Sequence, residues 1–168
     1  MIRRAEAKDA KIVHVFNINL QKEMASLFKK TPDLKQFAKT QLINPKTYSV
    51  SDVKEWISGM HGKSDESLDN MWYVAEFEGT VIGFIYGEII QSKTSIVNRT
   101  GHLDALYIAK SYRKNGYATK LINEIMQWFK LKKIKYIDIS VDFPNKKVQN
   151  LYEKLGFVKT TYIYNKKI

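Results

Sequence analysis

The chain has 168 residues and a formal net charge of +11, with 44% hydrophobic and 27% charged residues, which predicts one globular domain over residues 1–168 with a sizeable core. The sequence contains no cysteine, which excludes disulfides, thiolate metal sites and a cysteine nucleophile. No apolar run is long enough to span a bilayer and the first residues lack a signal-peptide pattern, so we expect a cytoplasmic protein without membrane contact.

The chain is predicted to begin with a short strand and a long helix. Residues 2–5 are compatible with a strand, and Asp9 is a suitable cap for the helix that follows. Between Ile12 and Leu27 apolar residues recur at helical spacing, which indicates one buried face. The sequence Thr31-Pro32-Asp33 then ends the helix.

Two shorter helices and a loop are predicted next. Residues 34–42 favour a short helix that stops at Asn44-Pro45. Ser51 or Asp52 is expected to cap the next helix, which is amphipathic. Residues 61–70 are polar and are predicted to form a loop.

The middle of the chain changes to strand patterns. Residues 72–77 and 81–90 are separated by Glu78-Gly79, which predicts a tight hairpin. Gly83 and Gly87 lie inside the second strand and mark candidate bulges. The first half of the chain therefore predicts helices, and this part predicts antiparallel pairing.

A third strand leads into a turn and a helix. Residues 100–108 are strand-like, residues 109–115 are polar and basic, and Gly116 precedes a segment with strong helical periodicity. A helix that starts at a glycine directly after a strand presents free backbone N–H groups and the positive end of its dipole. Such a start is a phosphate-binding site. Arg113 and Lys114 add positive charge there.

The last part of the chain repeats the alternation of strand and helix. Residues 136–141 alternate as a strand, and Pro144-Asn145 begins a helix that ends at Gly156. Residues 157–164 are strand-like. The predicted order is β, helices, βββ, α, β, α, β, which gives an α/β (α+β mixed) protein with a mixed, mostly antiparallel central sheet and helices on both faces.

Two motifs in this order resemble those of one family. The pattern Arg113-x-x-Gly116-x-Ala118 resembles the R/Q-x-x-G-x-G/A signature, and the segment from Asn145 to Phe157 resembles N-x-x-A-x-x-L-Y-x-K-L-G-F, with Val148 in place of a small residue. Both are signatures of the GNAT superfamily, the GCN5-related N-acetyltransferases. The resemblance implies a single-domain N-acetyltransferase that uses acetyl-CoA (coenzyme A).

The resemblance also implies which residues hold the cofactor. The pyrophosphate is expected at the glycine turn, and the pantetheine arm along the end of the preceding strand and near Asn145. Asparagine before a helix is equally typical of an N-cap. The residues concerned are Leu106, Tyr107, Ile108, Arg113, Lys114, Asn115, Gly116, Tyr117, Ala118, Thr119 and Asn145.

Three residues are candidates for proton transfer. Tyr152 corresponds to the family's general acid, because a phenol keeps its proton at neutral pH and can donate it to a thiolate; the alternative is a core tyrosine. His102 and Asp104 are two apart on a strand and share a face. Here the sequence resembles the serotonin (arylalkylamine) N-acetyltransferase branch, which places a base at these positions. Asp104 binding the substrate ammonium, or a purely structural pair, are the alternatives.

Other residue types give weaker signals. The three tryptophans Trp56, Trp72 and Trp128 are expected to pack in the core or against the surface, and we expect no metal site. The family usually ends with two strands after the last helix, whereas only one is predicted here. The second strand is short, or another subunit completes the sheet edge in a homodimer.

The function predicted from these patterns is acetyl transfer from acetyl-CoA to a primary amine by direct attack in a ternary complex. The acceptor is a small-molecule amine or a peptide N-terminus. One rival is a non-catalytic domain that binds an acyl-CoA. A second rival is a basic nucleic-acid-binding module, although the basic residues are spread along the chain and no recognition motif is present. We therefore expect no nucleic-acid partner.

Overall fold

The fold is that of a computed structural model, which describes residues 1–41, 49–60 and 62–166. A five-stranded sheet runs through it in chain order, with antiparallel pairing from β1 to β4 and parallel pairing between β4 and β5. The strands are β1 (Ile2–Arg4), β2 (Asn70–Phe77), β3 (Thr80–Gln91), β4 (Arg99–Ile108) and β5 (Ile137–Ile139). The predicted mixed, mostly antiparallel sheet is confirmed.

Helices cover both faces of this sheet. They are α1 (Ala10–Lys30), α2 (Val50–Ser58), α3 (Tyr117–Leu131) and α4 (Lys146–Lys154). On one face Phe16 of α1 meets Tyr107 of β4, with ring centroids 5.2 Å apart. On the other face α3 packs against the central strands. The helices predicted from periodicity are confirmed, except that residues 32–41 form a 3-10 helix, and Leu42 and Asn44-Pro45 lie outside the described residues.

Two glycines allow α3 to approach the sheet closely. A Cβ atom on Gly87 would lie 2.6 Å from the Ile125 side chain, and one on Gly101 would lie 2.7 Å from the Phe129 ring. Both distances are shorter than real Cβ contacts, so a larger residue at either position would require α3 or its side chains to shift. The close packing fixes the height of α3 above the sheet.

The β2–β3 hairpin follows the prediction. Glu78 and Gly79 have φ values of 48° and 75°, which a tight two-residue turn requires. The register then shifts by one residue on β3 between Val81 and Gly83. A bulge near Gly83 is thus confirmed. Because a one-residue slip moves every later side chain to the other face, this bulge decides which residues of β3 face α1.

The start of α2 corrects one prediction. The side chain of Ser49 accepts a hydrogen bond from the backbone N–H of Asp52, and the Asp52 carboxylate accepts one from the backbone N–H of Ser49. Ser49 is therefore the cap, rather than Ser51 or Asp52. The capping box favours Ser49 because its partner three residues later completes it.

The predicted last strand, residues 157–164, does not form. The described residues after Phe157 are irregular, and their side chains, including those of Val158, Tyr162 and Tyr164, are exposed. β5 is also shorter than predicted, and it pairs with β4 at three positions. Strand propensity has an effect only where a neighbouring strand supplies hydrogen bonds, and in the described chain no strand lies beside this segment.

Candidate functional site

A β-bulge in β4 places the candidate acid–base residues. Leu103 pairs with Gly87 and Ala105 pairs with Tyr86, so Asp104 is the extra residue between them. Before the bulge, the odd-numbered residues of β4 face α3. After the bulge, the odd-numbered residues face α1. Asp104 therefore lies where β4 changes faces. Its side chain is 58% exposed.

His102 lies between two carboxylates. Its Nδ1 is hydrogen-bonded to the carboxylate of Asp138, the residue directly opposite on β5. Its Nε2 is 4.0 Å from the Asp104 carboxylate. Glu88, the residue opposite His102 on β3, accepts a hydrogen bond of 3.0 Å from the Tyr86 hydroxyl. Three acidic side chains thus surround one imidazole at this end of the sheet, and two of them were not identified from the sequence.

The pKa of Asp104 is perturbed. Burial raises the pKa of this carboxyl above its ordinary value, His102 opposes the shift, and Glu88 adds to it. A carboxyl with a raised pKa is a stronger base once it is ionised. The environment of Asp104 therefore suits proton acceptance.

Asp104 also lines a cavity with a volume of about 630 Å³. The cavity opens between α1, α2 and the sheet. Its walls combine amide, apolar and aromatic side chains with one carboxylate. The lining residues are Asn17, Leu20, Gln21, Met24, Trp56, Asn70, Trp72, Tyr86, Asp104 and Ala105.

Aromatic rings form one wall of this cavity. The rings of Trp56 and Trp72 are nearly parallel, with centroids 6.3 Å apart, and Trp72 stacks on Tyr86 at 4.3 Å. Trp56 and Trp72 were expected from the sequence to pack in the core or against the surface. Both also line this cavity. For Trp72, the register of the hairpin decides this position. Trp128, in contrast, is buried and donates a hydrogen bond to the Asp65 carbonyl.

The glycine turn has the geometry predicted for it. Gly116 has a φ of 77° and directly precedes α3, and Lys114 also has a positive φ, of 66°. In the described chain, no hydrogen bond from the backbone N–H groups of residues 114–119 is found. A Cβ built on Gly116 would meet nothing within 4 Å, so the space above these N–H groups is open.

The other side chains of the turn lie around this opening. Lys114 and Asn115 are exposed, and the amide of Asn115 donates a hydrogen bond of 3.4 Å to the Tyr112 carbonyl. Tyr117, Ala118 and Thr119 form the first turn of α3. The first turn of a helix supplies unpaired N–H groups, so these three residues present backbone donors at the opening.

Arg113 is placed differently from expectation. Its guanidinium binds both carboxylate oxygens of Glu23 on α1, at 3.0 Å each, and its Nε donates to the Ile108 carbonyl at 2.7 Å. The guanidinium also lies 5.2 Å from the centre of the Tyr107 ring. Arg113 therefore connects the turn before α3 to α1, and the charge of its guanidinium is balanced by the Glu23 carboxylate.

β4 and β5 separate beyond Leu103. β5 pairs with residues 101–103 of β4, and no described strand lies beside residues 104–108 on that side. Leu106 is half-buried, and Tyr107 is buried with its hydroxyl 3.4 Å from Glu23. The opening exposes part of the backbone predicted to bind pantetheine, although the Ile108 carbonyl is already bonded to Arg113.

Tyr152 lies on α4, and Asn145 directly precedes this helix. Tyr152 is 3% exposed, and its ring meets Phe157 edge-on at 5.3 Å. Burial raises the pKa of the Tyr152 phenol. The Asn145 side chain makes no capping hydrogen bond, and its Nδ2 instead lies 3.5 Å from the Met24 sulfur. Asn145 is thus not an N-cap through its side chain.

The described residues contain no group of three or more histidine, cysteine, aspartate or glutamate side chains arranged to hold a metal ion. Within the same part of the chain, no helix has the length and apolar character needed to cross a bilayer.

The mixed sheet, the divergence of strands β4 and β5, and the glycine turn at the start of α3 define an acetyltransferase fold. The sequence matches the model of the acetyltransferase (GNAT) family over residues 33–157, so the chain belongs to that family. The family predicted from the two motifs is confirmed. No match is found among curated proteins.

Solved structures, two of them of named N-acetyltransferases, have the same fold. The tetramutant of the BH1408 protein from Bacillus halodurans superposes with a TM-score of 0.76 at 14% identity, covering 100% of this chain and 99% of that chain. The aminoglycoside N-acetyltransferase AAC(6')-Iy in complex with CoA gives 0.67 at 15% identity, covering 100% and 93%. Glucosamine-6-phosphate N-acetyltransferase from Arabidopsis thaliana gives 0.64 at 16%, covering 99% and 97%.

Proposed function

We propose that this protein is a single-domain, acetyl-CoA-dependent N-acetyltransferase that acetylates a primary amine by direct attack in a ternary complex. One observation carries the proposal. A single strand, β4, holds Asp104 at the cavity and leads directly to the open glycine turn before α3. The two sites that a transfer between an amine and a cofactor requires thus lie on one continuous segment of the chain, from β4 to the start of α3.

The glycine turn suits the pyrophosphate of coenzyme A. The unpaired N–H groups of residues 114–119 point to an anion site, since a helix N-terminus favours negative charge. Lys114 and Lys120 carry positive charge beside it. Acetyl-CoA, when bound, supplies the acetyl group as a thioester. The separated backbone of β4, at Leu106 and Tyr107, is open on the side where the pantetheine would lie.

The acceptor amine must lose a proton to become a nucleophile. An alkylammonium resembles lysine, with a pKa near ~10, so at neutral pH it arrives charged. Asp104 lines the cavity and has a raised pKa, and His102 lies beside it. We assign proton acceptance to this pair. The negative charge of Asp104 also attracts the ammonium form.

Tyr152 supplies the proton on the other side of the reaction. Burial raises the pKa of its phenol, so the hydroxyl is protonated throughout the physiological range. A protonated phenol is a hydrogen-bond donor, and it is the form needed to protonate a departing thiolate. Asn145 directly precedes α4, and its side chain lies beside Met24 of α1. We assign Asn145 to cofactor contact.

The proposal is tested with two glycines of the same conformation. Gly116 and Gly79 have φ values of 77° and 75°, and a Cβ on either meets nothing within 4 Å. Gly116→Glu and Gly79→Glu therefore carry similar backbone strain and the same charge, but only the first alters the glycine turn. We expect Gly116→Glu to abolish acetyl-CoA binding in calorimetry and Gly79→Glu to retain wild-type affinity.

Equal affinity in both variants would contradict the assigned cofactor site. Release of free thiol from acetyl-CoA in the presence of primary amines then measures the activity itself. Retained acetyl-CoA binding without thiol release for any amine would support the non-catalytic acyl-CoA-binding alternative.

A further inference from the structure

Glu23 of α1 lies against the segment that connects β4 to the glycine turn. Both oxygens of its carboxylate accept hydrogen bonds of 3.0 Å from the Arg113 guanidinium, and one accepts a hydrogen bond of 3.4 Å from the Tyr107 hydroxyl. The Lys110 ammonium lies 3.8 Å from the same carboxylate. The ring of Tyr107 packs on Phe16, which is also on α1. One face of α1 is thus fixed to this segment by packing and by charge.

The same segment forms the proposed cofactor site. The backbone of β4 at Tyr107 is open on the side where the pantetheine would lie, and Arg113 shortly precedes Gly116. Arg113 Nε donates to the Ile108 carbonyl at 2.7 Å, so the guanidinium is held by both β4 and α1. Charge-assisted hydrogen bonds of this kind fix geometry as well as adding free energy. Glu23 therefore acts on the cofactor site through Arg113.

Another face of α1 lines the cavity that contains Asp104. The α1 residues of this lining are Asn17, Leu20, Gln21 and Met24. They lie within about two helical turns of one another and of Glu23, so they move with Glu23 as one rigid unit. A shift of α1 against the glycine turn would therefore move the cavity wall relative to the cofactor site.

A carboxylate at position 23 is unfavourable for cofactor binding alone. Coenzyme A is a polyanion, and a negative charge near its pyrophosphate site reduces the attraction. Glu23 also occupies the Arg113 guanidinium, which would otherwise be available to phosphate oxygens. Cofactor affinity by itself would favour a neutral residue here. The contacts of Glu23 therefore fit a role in geometry rather than in affinity.

We propose that Glu23 is a positioning residue for acetyl transfer. Through Arg113 it fixes α1, and with α1 the wall of the cavity, at one distance from the turn that binds the cofactor. The inference rests on the proposed function, because it concerns the same two sites. Transfer depends steeply on the approach of the reactants, and a displacement of about 1 Å reduces the rate by up to about a hundredfold. The carboxylate improves the geometry of the transfer and weakens the binding of the cofactor.

The test compares Glu23→Gln, Arg113→Met and the double variant with the wild type. Each single variant breaks the charged pair, but the two change the charge of the site in opposite directions. In calorimetry with CoA, the Kd should be about two- to fivefold lower in Glu23→Gln and higher than that of the wild type in Arg113→Met. Circular dichroism verifies the fold, and if one single variant does not fold, the other still tests the pair.

Turnover should fall in both single variants. Thiol release from saturating acetyl-CoA, measured with n-butylamine, benzylamine and putrescine, should show a kcat about tenfold lower in Glu23→Gln and in Arg113→Met. The double variant should lose no more than the larger of the two single losses, because one contact accounts for both. A tighter Kd for CoA combined with a lower kcat is not expected from a merely structural role.

Hydrogen exchange gives a readout that needs no acceptor. In the wild type, saturating CoA should slow amide exchange in residues 17–30 of α1, because the pair connects α1 to the turn that binds CoA. In Glu23→Gln and Arg113→Met, saturating CoA should leave exchange in α1 unchanged. Glu55→Gln is the control, because Glu55 on α2 is an exposed carboxylate outside the cavity lining. It should keep the wild-type kcat, Kd and exchange.

The outcomes separate this inference from the proposed function. A wild-type kcat in Glu23→Gln, or slowing of α1 exchange by CoA that persists in this variant, would overturn the positioning role and leave acetyl transfer in place. A weaker Kd for CoA in Glu23→Gln would also overturn it and make Glu23 a support of the cofactor site alone.

Two further results concern the wild type. Absence of turnover with every amine would contradict the proposed function, whereas loss of the CoA-dependent slowing in both single variants would still support the link through Glu23. Failure of the wild type to bind CoA would contradict both proposals.

Discussion

His102 and Asp138 face each other across the parallel pair β4–β5, and the imidazole Nδ1 is hydrogen-bonded to the carboxylate. The pair links β4, which carries the proposed acid–base residues, to β5, the strand that leads into α4. The hydrogen bond fixes the orientation of the ring and determines which nitrogen faces Asp104. Asp138 is therefore a positioning residue for His102.

The first prediction concerns this hydrogen bond. Asp138→Asn keeps the size of the side chain but removes its negative charge and replaces one acceptor oxygen by an N–H donor. We expect kcat to fall about tenfold, which is less than the roughly 10²–10⁴-fold contribution of a general acid or base, because His102 itself stays in place. Asp138→Glu should recover part of the loss. ¹⁵N chemical shifts of the His102 ring should report a changed tautomer in Asp138→Asn alone. An unchanged spectrum together with an unchanged kcat would show that the contact has no role in the reaction.

The second prediction concerns stability against pH. The raised pKa of Asp104 means that the folded protein binds a proton more tightly there than the unfolded chain does. The stability from this group is thus largest at acidic pH and decreases as the pH rises through the folded pKa. Asp104→Asn removes the charge, so its Tm should exceed that of the wild type at pH 7, and the difference should shrink towards pH 4.

Asp33→Asn, at an exposed carboxylate after α1, is the charge control for this measurement. Its Tm should not exceed that of the wild type at pH 7.

The Asp104 variant should also lose activity while it gains stability. Profiles of kcat/KM against pH for the wild type, Asp104→Asn and His102→Gln identify the base, since replacement of the base removes its ionisation from the profile. Three identical profiles would exclude both residues.

A third prediction separates catalysis from packing at Tyr152. Tyr152→Phe keeps the ring that packs on Phe157 and removes the hydroxyl alone. We expect turnover to fall by about 10²–10⁴-fold, with the affinity for acetyl-CoA nearly unchanged. Tyr73→Phe is a matched control, because Tyr73 is also buried and burial raises its pKa to about 12. Equal turnover in the two variants would make Tyr152 a core residue.

The fourth prediction concerns the two basic residues of the glycine turn. The charge of Arg113 is balanced by Glu23 at 3.0 Å, whereas Lys114 is exposed. Lys114→Met should weaken acetyl-CoA binding about fivefold at low salt, as expected for about 1 kcal/mol of Coulomb energy, and Arg113→Met should weaken it less. High salt should reduce the difference. Equal losses would indicate that Arg113 leaves Glu23 when the cofactor binds.

Local signals in the sequence were sufficient to predict the backbone conformation of the proposed cofactor site. The positive φ of Gly116 and the start of α3 follow from one glycine between a strand and a periodic segment. The turn at Glu78-Gly79 was predicted for the same reason. In each case neighbours in the chain determine the conformation, so the prediction needs no knowledge of distant contacts.

Which residues line the cavity depends on the pairing register of the strands, and the sequence does not show this register. Unbroken pairing from the Glu78-Gly79 turn would place Trp72 opposite Ile85, but the bulge in β3 shifts its partner to Tyr86. The row of aromatic rings exists because of that one-residue shift. The bulge at Asp104 likewise changes the faces of β4.

Contacts across long stretches of chain were also missed. Glu23 and Arg113 are 90 residues apart, and His102 and Asp138 are 36 apart. No local pattern encodes either pair. The prediction of a strand over residues 157–164 was wrong for a related reason, because its β-branched and aromatic residues have no partner strand in the described chain.

Because Gly101 packs closely on Phe129, the sheet fixes the position of the C-terminal end of α3. Phe129 lies 13 residues after Gly116, about 20 Å along a helix, so a small displacement of α3 at Phe129 tilts the other end of the helix, where we propose that the phosphates bind. Gly101→Ala places a methyl group 2.7 Å from the Phe129 ring. A residue that never touches the cofactor would then behave, in a screen of random variants, as a cofactor-affinity mutant.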